Sequence, residues 1–246
     1  MDLRGLVGIV TGGGTGIGRA VSLALAARGA AVGVIYSRSA EDAEATVRQI
    51  EAGGGRALAV RADVADESQV RAMVAQIAER FGSVDLLVNN AGTTEYIPMR
   101  DLDAVTDATW DRIFDVNLKG MFYCARAVAP YMRRRGTGAI VNVTSVARIN
   151  GDGSSLPYAV SKAAANGLTR SLARALAPEI RCCAVAPGIV ETRWVAGREE
   201  HVRRLSQDAL LRRNVGTEEI AEMVCTLLSQ DSMTGQIVVM DGGRLF

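Results

Sequence analysis

Leu6-Val-Gly-Ile-Val-Thr-Gly-Gly-Gly-Thr-Gly-Ile-Gly18 joins a short apolar run to a glycine-rich turn, and an alanine-rich stretch of helical character follows as far as Arg28. Strand, glycine turn and helix in that order make half of a βαβ unit. Gly12, Gly16 and Gly18 stand as G-x-x-x-G-x-G, which differs from the longer G-x-G-x-x-G pattern. A P-loop is excluded, because Arg19-Ala20 follows Gly18 where Lys and Ser/Thr would be needed. Such a turn still lets backbone approach a pyrophosphate, with free N–H groups and a positive dipole end at the helix N-terminus.

The alternation continues along the chain. Ala31 to Tyr36 reads as a strand, residues 40–52 as a helix, Ala57 to Arg61 as a strand, 66–80 as a helix and Val84 to Asn89 as a strand. A long helical region runs from about Thr106 to Arg135, and Gly136 to Gly138 stops it. The arginines at 133–135 then sit where cations meet the negative end of the helix dipole, which explains them without a partner. Ala139 to Thr144, Ile180 to Ala186 and Gln236 to Met240 complete the strands. A helix from Tyr158 to about Ala177 and another capped by Thr217 lie between them. The strands are short and apolar throughout, the pattern of a parallel sheet covered on both faces. The expected fold is α/β: one doubly wound domain over residues 1–246, with a mostly parallel seven-stranded sheet flanked by helices. Its ligands would bind beyond the carboxyl ends of the strands.

Composition narrows the partners. Basic and acidic residues number 28 and 27, so no global field favours nucleic acid or an anionic membrane, and a small molecule is the expected ligand. The four cysteines are scattered, with Cys182 and Cys183 adjacent in an apolar run, which suits buried thiols and a reducing cytoplasm. The run Leu6 to Val10 is too short for the apolar centre of a signal peptide, and no segment approaches the roughly 20 apolar residues of a spanning helix. No cluster of His, Cys, Asp and Glu predicts a metal site.

After the second strand comes Tyr36-Ser37-Arg38-Ser39, without an acid. An acid there would accept from an adenosine 2′-hydroxyl, whereas arginine suits a 2′-phosphate. Arg38 offers a bidentate fork, with Ser37 and Ser39 as further donors. Further on, Tyr158 and Lys162 are four residues apart at the start of a helix, which places them on one face about 5–6 Å apart between Cβ atoms. A tyrosine titrates near pH 10 and shuttles protons poorly near neutrality unless a positive charge stabilises its phenolate. By itself such a pair is more often a solvated helix face.

In its surroundings the pair gains meaning. The chain resembles a short-chain dehydrogenase/reductase over its whole length, with the motifs in order: Thr11 to Gly18, Asp63 after the third strand, Asn89-Asn-Ala-Gly92, Asn117, Ser145, Tyr158-x-x-x-Lys162 and Pro187-Gly188. The resemblance, which is to 3-oxoacyl-(acyl-carrier-protein) reductase-like members, implies a single Rossmann domain. It also implies reversible hydride transfer between a nicotinamide and a carbonyl/alcohol pair. It makes Tyr158 the proton donor and Ser145 the group that orients the substrate oxygen. Lys162 would hold the nicotinamide ribose and depress the phenol's pKa, and Asn117 would hold a relay water. For the cofactor it implies contacts from Gly12, Thr15, Gly16, Ile17 and Gly18, from Asp63 and Val64 at the adenine, and from Asn89, Ala91 and Gly92 at the ribose. Pro187, Gly188 and Thr192 would meet the nicotinamide end. It further implies a homotetramer assembled through the helices around 106–135 and 158–177.

Some positions depart from that pattern. Thr15 stands where many NADP-dependent members carry Arg or Lys, so the expectation of NADP(H) over NAD(H) rests on Arg38 and its serines. Residues 189–216 occupy the place of a substrate lid and hold Trp194, His201 and several arginines. These fit an acidic or carrier-bound substrate, or simply a solvated amphipathic helix pair neutralised by Glu199, Glu200 and Asp208, with His201 exposed. The activity expected is that of an NADP(H)-dependent ketone reductase, such as a 3-oxoacyl thioester reductase. The alternatives are an NAD-dependent alcohol or sugar dehydrogenase of the same family and a non-catalytic dinucleotide-sensing protein. A Rossmann methyltransferase would have no need of Ser145, Tyr158 and Lys162 together.

Overall fold

The apolar runs become seven strands of one sheet in the order β3-β2-β1-β4-β5-β6-β7. The computed structural model describes residues 1–245 apart from Asp152, Ala196 and Arg198, and of Arg148, Asn150, Glu199, His201 and Arg204 it describes the backbone only. The strands are β1 (Val7–Thr11), β2 (Ala31–Tyr36), β3 (Arg56–Arg61), β4 (Leu86–Asn89), β5 (Gly138–Val143), β6 (Ile180–Pro187) and β7 (Ile237–Met240). All their pairings are parallel, so the sheet expected to be mostly parallel is wholly so. Around it lie α1 (Gly16–Ala27), α2 (Ala40–Ala52), α3 (Glu67–Phe81), α4 (Asp107–Phe114), α5 (Gly120–Arg135), α6 (Ala147–Asn150), α7 (Leu156–Leu176), α8 (Glu199–Gln207) and α9 (Thr217–Ser229).

Each strand buries both faces because successive side chains point to opposite sides. Val10, Val34, Val88 and Val185 face α1, α2 and α9, where Leu25, Val47 and Val224 meet them. Ile9, Ile35, Leu87 and Ile140 face α3, α5 and α7, against Ile77, Val128 and Leu172. Cys182 and Cys183 follow the same rule, one in each core. All four thiols are free and buried, as expected.

Two expected elements differ. The single helix read over 106–135 is divided by a π-helical turn at Asp115–Lys119, centred on the buried Asn117. An inserted residue of this kind changes the direction of a helical face and is common at functional sites. Thr217 is the first residue of α9, not its cap; that place belongs to Gly216, whose N–H donates to the Glu219 carboxylate at 2.9 Å. The arginine triplet does end α5: Gly136 stops the helix at φ 75°, and Arg135 Nε approaches the buried Asp85 carboxylate at 3.2 Å. The expectations for Arg198, Glu199, His201 and Arg204 fall on residues or side chains outside those described.

The strand order reverses direction at β1, with β2 on one side and β4 on the other. That switch point opens a crevice at the carboxyl ends. The turn from β1 into α1 is shaped by Gly12 and Gly16, at φ 63° and 50°, a region that penalises any Cβ. At Gly18 the constraint is closeness, since a Cβ would lie 2.1 Å from the Gly12 carbonyl oxygen and 2.5 Å from Asn90 Nδ2. Gly18→Ala therefore forces the turn apart and lowers the thermal midpoint by several degrees, the effect of an overpacking cost of about 1–3 kcal/mol or more. An unchanged midpoint in differential scanning calorimetry would contradict this packing.

Candidate active site

Residues at the carboxyl ends of all seven strands line one cleft of about 1110 Å³. Its floor is stitched where β1 meets β4. The Thr11 hydroxyl accepts from the N–H groups of Asn90 and Ala91 at 3.0 Å each, and Asn90 Nδ2 donates back to the carbonyls of Thr11 and Gly12 at 3.0 and 3.2 Å. Gly12, Thr15, Gly16 and Ile17 line the cleft above α1, followed by Ser37, Arg38 and Ser39, then Asp63 and Val64. Ala91, Gly92, Ser145, Tyr158, Lys162, Pro187, Gly188 and Thr192 line the rest. The sequence-predicted residues are thus gathered from across the chain, with three exceptions.

Gly18, Asn89 and Asn117 lie behind the cleft wall. Gly18 is buried packing beneath the turn. Asn89 is turned into the sheet, where its amide donates to Asn142 Oδ1 at 2.9 Å and to the Met121 carbonyl at 3.3 Å; its neighbour Asn90 faces the cleft instead. A strand's alternation makes one of two adjacent asparagines point inward, but the doublet alone does not say which. Asn117 spends both amide protons, on the Thr93 carbonyl and on Ser161 Oγ, each at 3.0 Å, and its oxygen accepts from Thr93 N–H at 2.8 Å. Its side chain therefore fixes the 93 loop and, through Ser161, the Tyr158 carbonyl, to which Ser161 donates at 2.7 Å.

Ser145, Tyr158 and Lys162 meet at the inner end of the cleft. The Ser145 hydroxyl accepts from Ala147 N–H at 3.1 Å and is hydrogen-bonded to the phenol of Tyr158. Lys162, only 4% exposed, donates from Nζ to the Val143 carbonyl at 3.0 Å, and Nζ stands 5.8 Å from the Tyr158 ring centroid. Burial pushes the phenol up to about 12, with the bond to Ser145 pulling the other way, and burial pushes the ammonium down to about 8. The net direction for the phenol is therefore upward, set by burial. The ammonium is held on the Val143 carbonyl.

Residues 192–194, from the segment expected as a lid, cross the cleft. Thr192 sits against the Gly16 turn, where a Cβ would lie 3.2 Å from its methyl. Arg193 reaches Asp42 Oδ2 at 3.0 Å and Ser39 Oγ at 3.5 Å. The Trp194 ring tilts against Tyr158 with centroids 5.9 Å apart, and Tyr96 donates its phenolic proton to the Trp194 carbonyl at 2.8 Å. Ile97, Met99, Val202 and Leu205 extend this apolar wall. Tyr96 was not singled out in the sequence, where nothing marks a loop residue as facing a cleft formed by distant strands, and Asn90 entered only as part of the Asn89-Asn-Ala-Gly92 motif.

The family model for short chain dehydrogenases matches residues 7–203. The chain belongs to the short chain dehydrogenase family. A protein assigned as ketoacyl reductase 2 of the granaticin polyketide synthase of Streptomyces violaceoruber is 42% identical over 243 residues, spanning 96% of this chain and 95% of the relative. The 3-oxoacyl-(acyl-carrier-protein) reductase FabG of Staphylococcus aureus is 39% identical over 241 residues, 96% of each. Among solved structures, a short chain dehydrogenase from Burkholderia cenocepacia in complex with NADP superposes with a TM-score of 0.92 at 35% identity over 100% of both chains. Among the described residues, no helix is long and apolar enough to cross a membrane and no group of His, Cys, Asp and Glu could hold a metal.

The depressed ammonium has a measurable consequence. Between about 8 and the ordinary 10.5, Lys162 is neutral in the folded protein and still protonated when unfolded. The unfolded chain then binds more protons, so this residue's contribution to stability rises with pH across that window. The stability of the parent relative to Lys162→Met, measured by denaturant unfolding, should grow by on the order of 3 kcal/mol from pH 8 to 10.5. A constant difference would show that the ammonium is not desolvated.

Proposed function

We propose that the protein is an NADP(H)-dependent reductase of apolar ketones, 3-oxoacyl thioesters among them, working reversibly on the carbonyl/alcohol pair. The observation that carries this is a single cleft with Ser145, Tyr158 and Lys162 at one end and Arg38, Ser37 and Ser39 at the other. Its fit to a dinucleotide rests on the protein's own groups. The left-handed glycines of the first turn admit a pyrophosphate against the α1 N-terminus, and Arg38, exposed and without a hydrogen bond or ion pair among the described residues, faces the position of an adenosine 2′-phosphate. The solved relative in complex with NADP and the FabG relatives favour the same cofactor.

When bound, the nicotinamide supplies the hydride. The protein supplies the rest. A substrate carbonyl oxygen placed between the Ser145 and Tyr158 hydroxyls accepts from both, which polarises the carbon and fixes its face. Tyr158 then gives its proton to the oxygen as negative charge develops there. The phenol carries its proton at neutral pH, and the Ser145 hydroxyl bonded to it opposes the rise in pKa that burial causes. Lys162 keeps a positive charge beside the phenolate that remains, and a relay that returns the proton past Asn117 runs along its main chain, because its side chain is committed to Thr93 and Ser161. The segment 189–216 acts as the lid, with Trp194 excluding water above Tyr158.

The apolar wall supports an apolar substrate. Among the described lid arginines, Arg193 is paired with Asp42 and Arg213 with Glu219. Phe122 and Val160, 39% and 42% exposed on α5 and α7, support assembly into a homotetramer through those helices, and the free buried thiols suit a cytoplasmic location.

The test is NADPH oxidation with an aryl or medium-chain ketone. Tyr158→Phe should lower kcat/KM by about two to four orders of magnitude while leaving the Kd for NADPH within about twofold. Undiminished turnover would remove Tyr158 from proton transfer. NADPH should bind more tightly than NADH, and Arg38→Ala should weaken NADPH by roughly 10- to 100-fold and abolish the preference. Equal affinities in the parent would contradict the cofactor assignment.

A further inference from the structure

The contact of Arg193 with Ser39 joins two parts of the chain that have no sequence reason to meet. Ser39 precedes α2 at the end of the cleft that holds Arg38, while Arg193 belongs to the 3-10 turn Arg193–Val195 that carries Trp194 onto Tyr158. Thr15, in the glycine turn nearby, brings no charge to this end of the cleft. We propose that Arg193 is a second ligand of the adenosine 2′-phosphate, so that NADP(H), unlike NAD(H), fastens the 189–216 segment over the active site. This rests on the NADP(H) reading above and extends it to the element that closes the site.

Three physical points support it. A guanidinium 3.5 Å from Ser39 Oγ is within reach of any phosphate that Ser39 itself contacts, and its planar fork suits phosphate oxygens. Its present partner is weakly held, since Arg193 and Asp42 are 64% and 43% exposed, and such pairs contribute little. A dianionic phosphate competes well for the same fork. Finally, Asp42 stands in the first turn of α2, beside the site of a negatively charged group it would repel. A guanidinium between the two neutralises Asp42 and holds the phosphate at once.

Because Arg193 and Trp194 are consecutive in one 3-10 turn, the phosphate contact and the aromatic contact with Tyr158 are carried by the same short element. A phosphate on the adenosine ribose is thereby read at the catalytic end. A ligand with a free 2′-hydroxyl would leave Arg193 on Asp42 and gain nothing from it.

Adenosine 2′,5′-bisphosphate and adenosine 5′-monophosphate separate this from general effects on the lid, because both bind the adenosine end and only the first carries the 2′-phosphate. Calorimetric titration should show Arg193→Ala weakening the bisphosphate by roughly tenfold and the monophosphate by less than about twofold. Asp42→Asn, which frees the fork, should tighten the bisphosphate in the parent and have no such effect in the Arg193→Ala background. In a Trp110→Phe background, where Trp194 is the one remaining tryptophan, the bisphosphate but not the monophosphate should change the emission. Equal losses for both ligands, or no loss, would overturn the proposal. Arg38→Ala distinguishes the two levels. If it weakens the bisphosphate while Arg193→Ala does not, only the role of Arg193 fails; if neither variant does, the NADP(H) reading fails as well.

Discussion

A chain of buried amide and hydroxyl bonds fixes helix α7 against the sheet, and the site depends on it. Asn89 on β4 donates to Asn142 on β5 at 2.9 Å, and Asn142 donates to Thr169 on α7 at 2.9 Å. Nearer the cleft, Lys162 is bonded to the Val143 carbonyl and Ser161 to Asn117. Apolar packing alone would let a helix slide or rotate by a fraction of a turn at small cost. Buried polar groups do not allow this, because each lost partner costs about 1–3 kcal/mol. The three bonds hold α7 at one depth and one rotation, and so place the Tyr158 phenol where Ser145, at the end of β5, can bond to it.

That constraint also clarifies the chemistry of the pair Tyr158 and Lys162. The same burial that aligns them raises the pKa of one and lowers that of the other. Burial keeps the phenol protonated, and the bond to Ser145 opposes that shift. A positive charge near the phenolate favours proton transfer to a carbonyl oxygen.

Much of this was legible in the sequence because parallel strands buried on both faces leave continuous apolar runs, and because glycines, Ser145, Tyr158 and Lys162 stand at strand ends and helix starts in a fixed order. Helix α2 was bounded correctly at both ends. What escaped depends on three-dimensional neighbours. Nothing in Asn89-Asn90 says which amide turns inward, nothing in Val116-Asn-Leu118 announces a π turn, and the approach of Arg193 to Asp42 spans 151 residues of chain. The lid arginines left an acidic substrate and a solvated, acid-neutralised surface both open; in the fold Arg193 and Arg213 are engaged with acids of α2 and α9, and Tyr96 and Trp194 form the wall beside the phenol. The net upward direction of the Tyr158 pKa was likewise not legible, since it is set by burial in the folded protein.

The central claim is that one cleft delivers a hydride to carbon and the Tyr158 proton to oxygen. The most direct test is to supply NADPH carrying deuterium at its transferable position, with an apolar ketone in ordinary water, and to locate the label in the product by NMR. The account predicts one deuterium per alcohol molecule, bound to the carbinol carbon, with transfer lost in Tyr158→Phe. Alcohol formed without deuterium at that carbon, or label transferred equally well by the variant, would contradict it.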